Sequence, residues 1–130
     1  RRILVMDDEA PVRQMIGDLL RHFGCDPALA GDGAQAVEMY AAARQAGRPF
    51  DAVILDLTVP GGLGGREAMR RLLEIDPGAR GIIASGYSND PVMAEHRRHG
   101  FLGVVRKPFR MEELRAVLAM VLADRPAAGG

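Results

Sequence analysis

The sequence predicts an α/β domain in which five short parallel strands alternate with helices, and three observations carry that reading. Short β-branched or Leu-rich runs recur between longer segments of helical period. Several of these runs are apolar at nearly every position, as strands covered on both faces must be. The chain has 130 residues, 48% of them apolar and 26% charged, which is enough for one buried core without disulfide or metal staples.

The strand candidates are Ile3–Met6, Ala28–Ala30, Ala52–Leu55, Gly81–Ala84 and Gly103–Arg106. The first, third and fourth are the nearly continuous apolar runs; the second is weak and is placed by its neighbours. Val12, Ile16, Leu19, Leu20 and Phe23 form the stripe of a first helix, opened by Pro11 at a first-turn position. Val37, Tyr40 and Ala41 mark a second. Met69, Leu72 and Leu73 mark a third, which Asp76-Pro77-Gly78 stops. Pro91–His99 is predicted as a fourth helix, but its poor apolar stripe makes it the least securely packed. Leu114, Val117, Leu118 and Val121 make the last. Strict alternation implies a parallel sheet with helices on both faces. With right-handed crossovers, the common solution is a flavodoxin-like (βα)5 three-layer sandwich of strand order 2-1-3-4-5. Residues 1–123 are read as this domain and Asp124–Gly130 as a C-terminal tail or linker. No internal repeat is present.

Charge and composition exclude several classes. Lys plus Arg equals Asp plus Glu, so the formal net charge is zero. That argues against general nucleic-acid or membrane-surface binding by this domain. No apolar run approaches the ~20 residues that span a bilayer. Cys25 is the only cysteine, which excludes an internal disulfide or Cys-based metal cluster and predicts a reduced, cytoplasmic protein. The chain has no initiator Met and enters a strand almost at once, as expected of a piece of a larger protein.

The polar residues gather at one edge. Strand one runs into Asp7-Asp8, strand three into Asp56, strand four into Ser85 and strand five into Lys107-Pro108. In the order 2-1-3-4-5 those strands are neighbours, and ligands of such sheets bind at the carboxyl edge. Three close carboxylates raise one another's pKa unless a cation sits among them. Mg²⁺ suits that site, because it prefers hard oxygen ligands and uses few protein carboxylates. Asp8 and Asp56 are the expected direct ligands, Asp7 a direct or water-mediated one, and the Thr58 backbone carbonyl a further candidate. Phosphoryl transfer then has Asp56 as nucleophile, with Mg²⁺, Lys107, Ser85 and nearby backbone N–H groups against the equatorial oxygens. Each residue alone has a plainer reading. Asp8 or Glu9 would cap a helix, Asp56 would sit in a turn, Lys107 would be solvated, and Ser85-Gly86 is a generic turn. Their joint order and spacing predict the site.

At these residues the chain resembles response-regulator receiver domains along essentially its whole length. The matching pieces are Ile3–Glu9, Asp32-Gly33 opening the second helix, Val53–Leu57 around Asp56, Ser85-Gly86 and Lys107-Pro108-Phe109. The resemblance implies a two-component phosphorelay in which Asp56 takes a phosphoryl group from a histidine-kinase phosphohistidine. Asp7 and Asp8 would help bind Mg²⁺, and Ser85 and Lys107 would read the phosphoryl group. It also implies a cis peptide before Pro108 and partners of three kinds: a histidine kinase, a kinase core in cis, or a histidine phosphotransfer protein. Such a domain is a signalling switch with self-catalysed transfer and slow autodephosphorylation, not an enzyme acting on a free substrate. Receivers commonly carry an aromatic three positions before the lysine; here that position is Val104. The loop Pro60–Gly65 carries an apparent extra glycine, and the two departures together look like receivers fused to hybrid histidine kinases. Thr58 and Tyr87 occupy positions that tune dephosphorylation in the family.

Two other functions compete. A pseudo-receiver that only binds proteins would not need the intact Asp7, Asp8, Asp56, Ser85 and Lys107. A Mg²⁺-dependent phosphatase using an aspartyl-phosphate usually places a second acid close after the nucleophile, and Thr58 stands two positions after Asp56. The Gly61–Gly65 stretch lacks the Gly-Lys-Ser/Thr ending of a nucleotide loop and reads instead as a mobile loop responding to the phosphoryl group. His96-Arg97-Arg98-His99 reads as a solvated helix face, or as a docking patch on the output face of the fourth helix, fifth strand and fifth helix.

Overall fold

A computed structural model describes residues 1–86 and 90–123. Tyr87 and the Asp124–Gly130 tail lie outside the described residues. The elements run β1 (Arg2–Met6), α1 (Ala10–His22), β2 (Asp26–Ala30), α2 (Gly33–Gln45), β3 (Ala52–Asp56), α3 (Gly65–Ile75), β4 (Gly81–Ser85), α4 (Pro91–Ala94), a 3-10 turn (His96–His99), β5 (Phe101–Arg106) and α5 (Met111–Ala123). All strand pairs are parallel, and the order is β2-β1-β3-β4-β5, as the alternation predicts.

Burial explains why the central strands are apolar throughout. Every residue of β3 and β4 is buried, and successive side chains feed opposite cores because strand side chains alternate. Leu4, Met6, Val53, Leu55 and Ile83 pack with Ala36, Tyr40, Ala68, Met69 and Leu72 of α2 and α3. Ile3, Val5, Ile54 and Ile82 pack with Ile16 and Leu20 of α1 and Leu114, Leu118 and Val121 of α5. Two apolar layers therefore clamp the sheet, and its carboxyl edge is held from both sides.

Local signals set the helix starts. Pro11 occupies the first turn of α1. Asp32 caps α2 by accepting from the Gln35 N–H at 2.9 Å, while Gln35 Oε1 accepts from the Gly31 N–H at 2.7 Å, a reciprocal pairing close to a capping box. Neither Asp8 nor Glu9 caps α1 with its side chain: Glu9 stands at the N-cap without a side-chain cap bond. Asp7 Oδ1 instead accepts from the Glu9 N–H at 2.9 Å.

Two regions depart from the sequence expectation. Pro91–His99 is not one helix. Asp90 caps a single α turn through the Val92 N–H, Glu95 leaves helical geometry at φ −112°, ψ 36°, and a 3-10 turn follows. Only Val92 and Met93 of this segment are buried; past Ala94 the sequence offers no large apolar side chain before Phe101, so nothing anchors a continuing helix. The fifth strand begins two residues earlier than expected, at Phe101. Its register slips against β4, where Gly81 pairs with Phe101 but Ile82 with Gly103. This β-bulge interrupts the period-two pattern that identifies a strand.

Candidate phosphoacceptor site

The site is assembled by the ends of four adjacent strands. Asp7 follows β1 directly, Asp56 ends β3, Ser85 ends β4 and Lys107 follows β5. Asp7, Asp56 and Ser85 are the three buried polar residues among the described ones, at 1%, 6% and 1% exposure. Asp8 is exposed at the mouth. One carboxylate oxygen from each of Asp7, Asp8 and Asp56 lies within 4.8 Å of the others. Lys107 Nζ sits 2.6 Å from Asp7 Oδ2 and 3.3 Å from Asp56 Oδ1. The cleft holds about 400 Å³ and is walled further by Glu9, Thr58, Pro60 and Gly86.

The electrostatics are unbalanced. Burial pushes the Asp56 carboxyl up to about 6; Lys107 opposes this, while the charge of Asp7 and a hydrogen bond with Asp8 add to it. Burial would lower the Lys107 ammonium, but its hydrogen bond to Asp7 and the charges of Asp56 and Asp7 outweigh burial and leave it raised. One lysine thus faces three acids. A small divalent cation bound by oxygen ligands suits that donor set and would remove the deficit.

Backbone contacts hold the parts in place. The Lys107 N–H donates to the Ser85 carbonyl at 2.8 Å, tying the ends of β4 and β5, and the Lys107–Pro108 peptide is cis, as the resemblance implies. Phe109 packs on the α1/α5 core. Val104 is half-buried against the α2/α3 core. Glycines in the loop after Asp56 serve close approach as well as freedom. A Cβ at Gly65 would stand 2.7 Å from the Asp56 carbonyl oxygen and 2.9 Å from Ile83 Cδ1; one at Gly64 would stand 2.6 Å from the Leu57 carbonyl oxygen. The amino end of α3 therefore rests directly on the end of β3.

The structure brings Asp7, Asp8, Asp56, Ser85 and Lys107 into one cleft, with Thr58 and Gly86 on its wall. It adds two residues that sequence reasoning left out of the site. Arg13 Nη1 donates to the Asp7 carbonyl at 2.8 Å, pinning the Asp7-Asp8 turn from α1, and Glu9 contributes a fourth acid to the wall. Nothing in the sequence separates Arg13 from the other arginines, and Glu9, beside Asp7-Asp8, has the plainer sequence role of a helix cap.

The family model of the response regulator receiver domain matches residues 3–119. The chain belongs to this family. It is 30% identical to sporulation initiation phosphotransferase F of Bacillus subtilis (strain 168) over 114 residues, 88% of this receiver and 87% of that protein. A response regulator receiver protein of Anaeromyxobacter sp. (strain Fw109-5) is 32% identical over 108 residues, and the match spans 83% of this chain but 43% of that protein's length. Among solved structures, the receiver domain of a sensor histidine kinase from Pseudomonas aeruginosa PAO1, described with a magnesium ion coordinated in its active-site cleft, superposes with TM-score 0.81. Identity is 26%, over 95% of this chain and 98% of that one. No helix among the described residues is long and apolar enough to cross a membrane.

Proposed function

We propose that this receiver is the phosphoacceptor of a phosphorelay in which Asp56 takes a phosphoryl group from a phosphohistidine. The observation that carries the reading is the three-carboxylate cluster, in which Lys107 bridges Asp7 and Asp56. An Asp56 carboxylate oxygen forms the new P–O bond while the P–N bond of the donor breaks and its imidazole nitrogen keeps the electron pair. Lys107 is near enough to Asp56 to exchange its carboxylate contact for a phosphoryl oxygen, and Ser85, buried at the adjacent strand end, offers its hydroxyl to another. Asp7, Asp8 and Asp56 are assigned as the ligands of Mg²⁺, with the Thr58 carbonyl as a further one. When bound, that ion supplies positive charge against the transferring group and against the carboxylates.

The phosphoryl group then biases an equilibrium of the surrounding loops and so a partner surface. Thr58 and Gly86 border the cleft, Pro108 follows Lys107 through a cis peptide as a further switch position, and Val104 replaces the aromatic that relays the change in many receivers. Likeness to the receiver of a sensor histidine kinase supports a hybrid-kinase setting, with a kinase core in cis or a histidine phosphotransfer protein as partner, in the cytoplasm. Balanced charge supports a domain that itself engages neither nucleic acid nor membrane. Its only chemistry is self-catalysed uptake and slow loss of the phosphoryl group, in a domain spanning residues 1–123.

Incubation with Mg²⁺ and a small phosphodonor is expected to add the mass of one phosphoryl group, and Asp56→Asn to abolish the addition. An unchanged mass of the unmutated domain, with a donor shown competent on a second receiver, overturns the proposal. Absence of Mg²⁺ binding would leave a protein-binding module instead.

A further inference from the structure

A groove larger than the acidic cleft, about 840 Å³, runs between α3 and the 3-10 turn before β5. Its walls are cationic in a chain whose net charge is zero. Four arginines line it against two glutamates, and both glutamates are already engaged. Arg70 pairs with Glu67 and with Glu74 at 3.2 Å, and Arg71 lies 3.7 Å from Glu67. Arg98 is held by Glu95 at 3.0 Å. Arg66 and Arg97, both exposed, form no ion pair among the described residues.

The cluster His96–His99 therefore has a direction that the sequence could not give it. Arg97, Arg98 and His99 line a groove shared with α3, because the segment breaks at Glu95 and ends at Gly100, whose φ of +88° turns the chain into β5. The groove also exposes apolar surface, from Leu57 and Leu73. The lining offers no Phe, Tyr or Trp on which a base would stack.

We propose that this groove is the docking site of an acidic peptide segment of a partner protein, one that alternates carboxylates with apolar side chains. Guanidinium groups match carboxylates in geometry, so Arg66 and Arg97 receive the acids from opposite walls. Leu57 and Leu73 take the apolar side chains between them. Complementary charge of this kind steers encounter and selects the partner. The site is separate from the phosphoacceptor cleft and does not depend on Asp56 chemistry.

A labelled short peptide of alternating Glu and Leu, titrated into the full chain by fluorescence polarisation, is the test, with a Lys/Leu peptide beside it. Binding by the acidic peptide only, weakening as salt rises, is the expected result. The charge reversal Arg66→Glu/Arg97→Glu should weaken it about tenfold or more, while Arg110→Glu, an exposed site before α5 outside the groove, leaves it within about twofold. Amide shifts in the unmutated domain should centre on Leu57, Gly64, Leu73 and Gly100. Equal binding by both peptides, unchanged affinity in the double variant, an equal loss in Arg110→Glu, or shifts confined to other faces would each overturn the proposal. So would binding of inorganic pyrophosphate in the groove without binding of the acidic peptide, which would mark a phosphate site instead.

Discussion

The two edges of the sheet solve the same problem in opposite ways. Both carry aspartates near apolar strand ends. At the amino edge the acid is matched: Asp76 accepts from the Tyr40 hydroxyl at 2.7 Å and from the Gly78 N–H at 2.9 Å, with Arg44 4.0 Å away. The arrangement favours a neutral Tyr40, whose pKa burial and the Asp76 carboxylate push far up. At the carboxyl edge three acids share one lysine, and Asp56 is pushed up to about 6. A polar group that finds its partner within the fold is structural; a buried cluster left short of charge expects something from outside.

The comparison breaks most visibly at the lysine. Lys107→Ala should slow phosphoryl uptake by about 10²-fold or more, as loss of a preorganised charge stabiliser does, measured by rapid mixing with a small phosphodonor. Uptake at an undiminished rate would show that Lys107 only balances charge. A smaller effect follows from pH. The ordinary value for Asp56 is 3.8, so between 3.8 and about 6 the folded metal-free domain holds a proton that the unfolded chain has released. Its contribution therefore opposes folding increasingly as pH rises through that window, and vanishes below it. Mg²⁺ must displace the same proton, so its affinity should be nearly flat above pH 7 and fall about tenfold per unit once pH is well below 6. Calorimetry at several pH values measures this, and a flat profile down to pH 5 would exclude Asp56 as the titrating ligand.

The smallest effects carry the sharpest contrast, because one kind of change should act with opposite signs at the two edges. Asp8→Asn removes a carboxylate that favours the proton on Asp56 and should stabilise the metal-free domain by roughly 0.5–1 kcal/mol, while weakening Mg²⁺ binding. Tyr40→Phe removes the donor from Asp76 and should destabilise by about 1 kcal/mol, with phosphoryl uptake unchanged. Denaturant unfolding with and without Mg²⁺ reads both. Destabilisation of the same size by each would mean that the carboxyl edge is as well matched as the amino edge.

Much of this was legible in the sequence because the central strands are buried on both faces and therefore write continuous apolar runs. The site was legible for a related reason: Asp7, Asp56 and Ser85 each sit where such a run stops, Lys107 follows the edge strand β5, and strand order brings them together. What escaped depends on contacts between elements. Phe101 packs on the α2/α3 core and Leu102 on the α1/α5 core, but the irregularity at the start of β5 puts Gly103 against α5 as well, so the period-two pattern breaks there. Pro91–His99 has the length of a helix but only Val92 and Met93 to anchor it. Arg13 acts through a backbone carbonyl six residues earlier, and the basic groove needs α3 and the 3-10 turn side by side. No local pattern encodes either.

The glycines that seat α3 on the end of β3 make a tight joint. With no side chain on Gly64 or Gly65, the backbone of α3 sits where even a Cβ would collide with the carbonyls of Leu57 and Asp56, and close packing leaves no room between them. Arg66, the next residue, is the first groove arginine. β3 and the cationic groove thus meet at a tight backbone joint one peptide long, so the two sites are neighbours in the chain although their side chains are distinct.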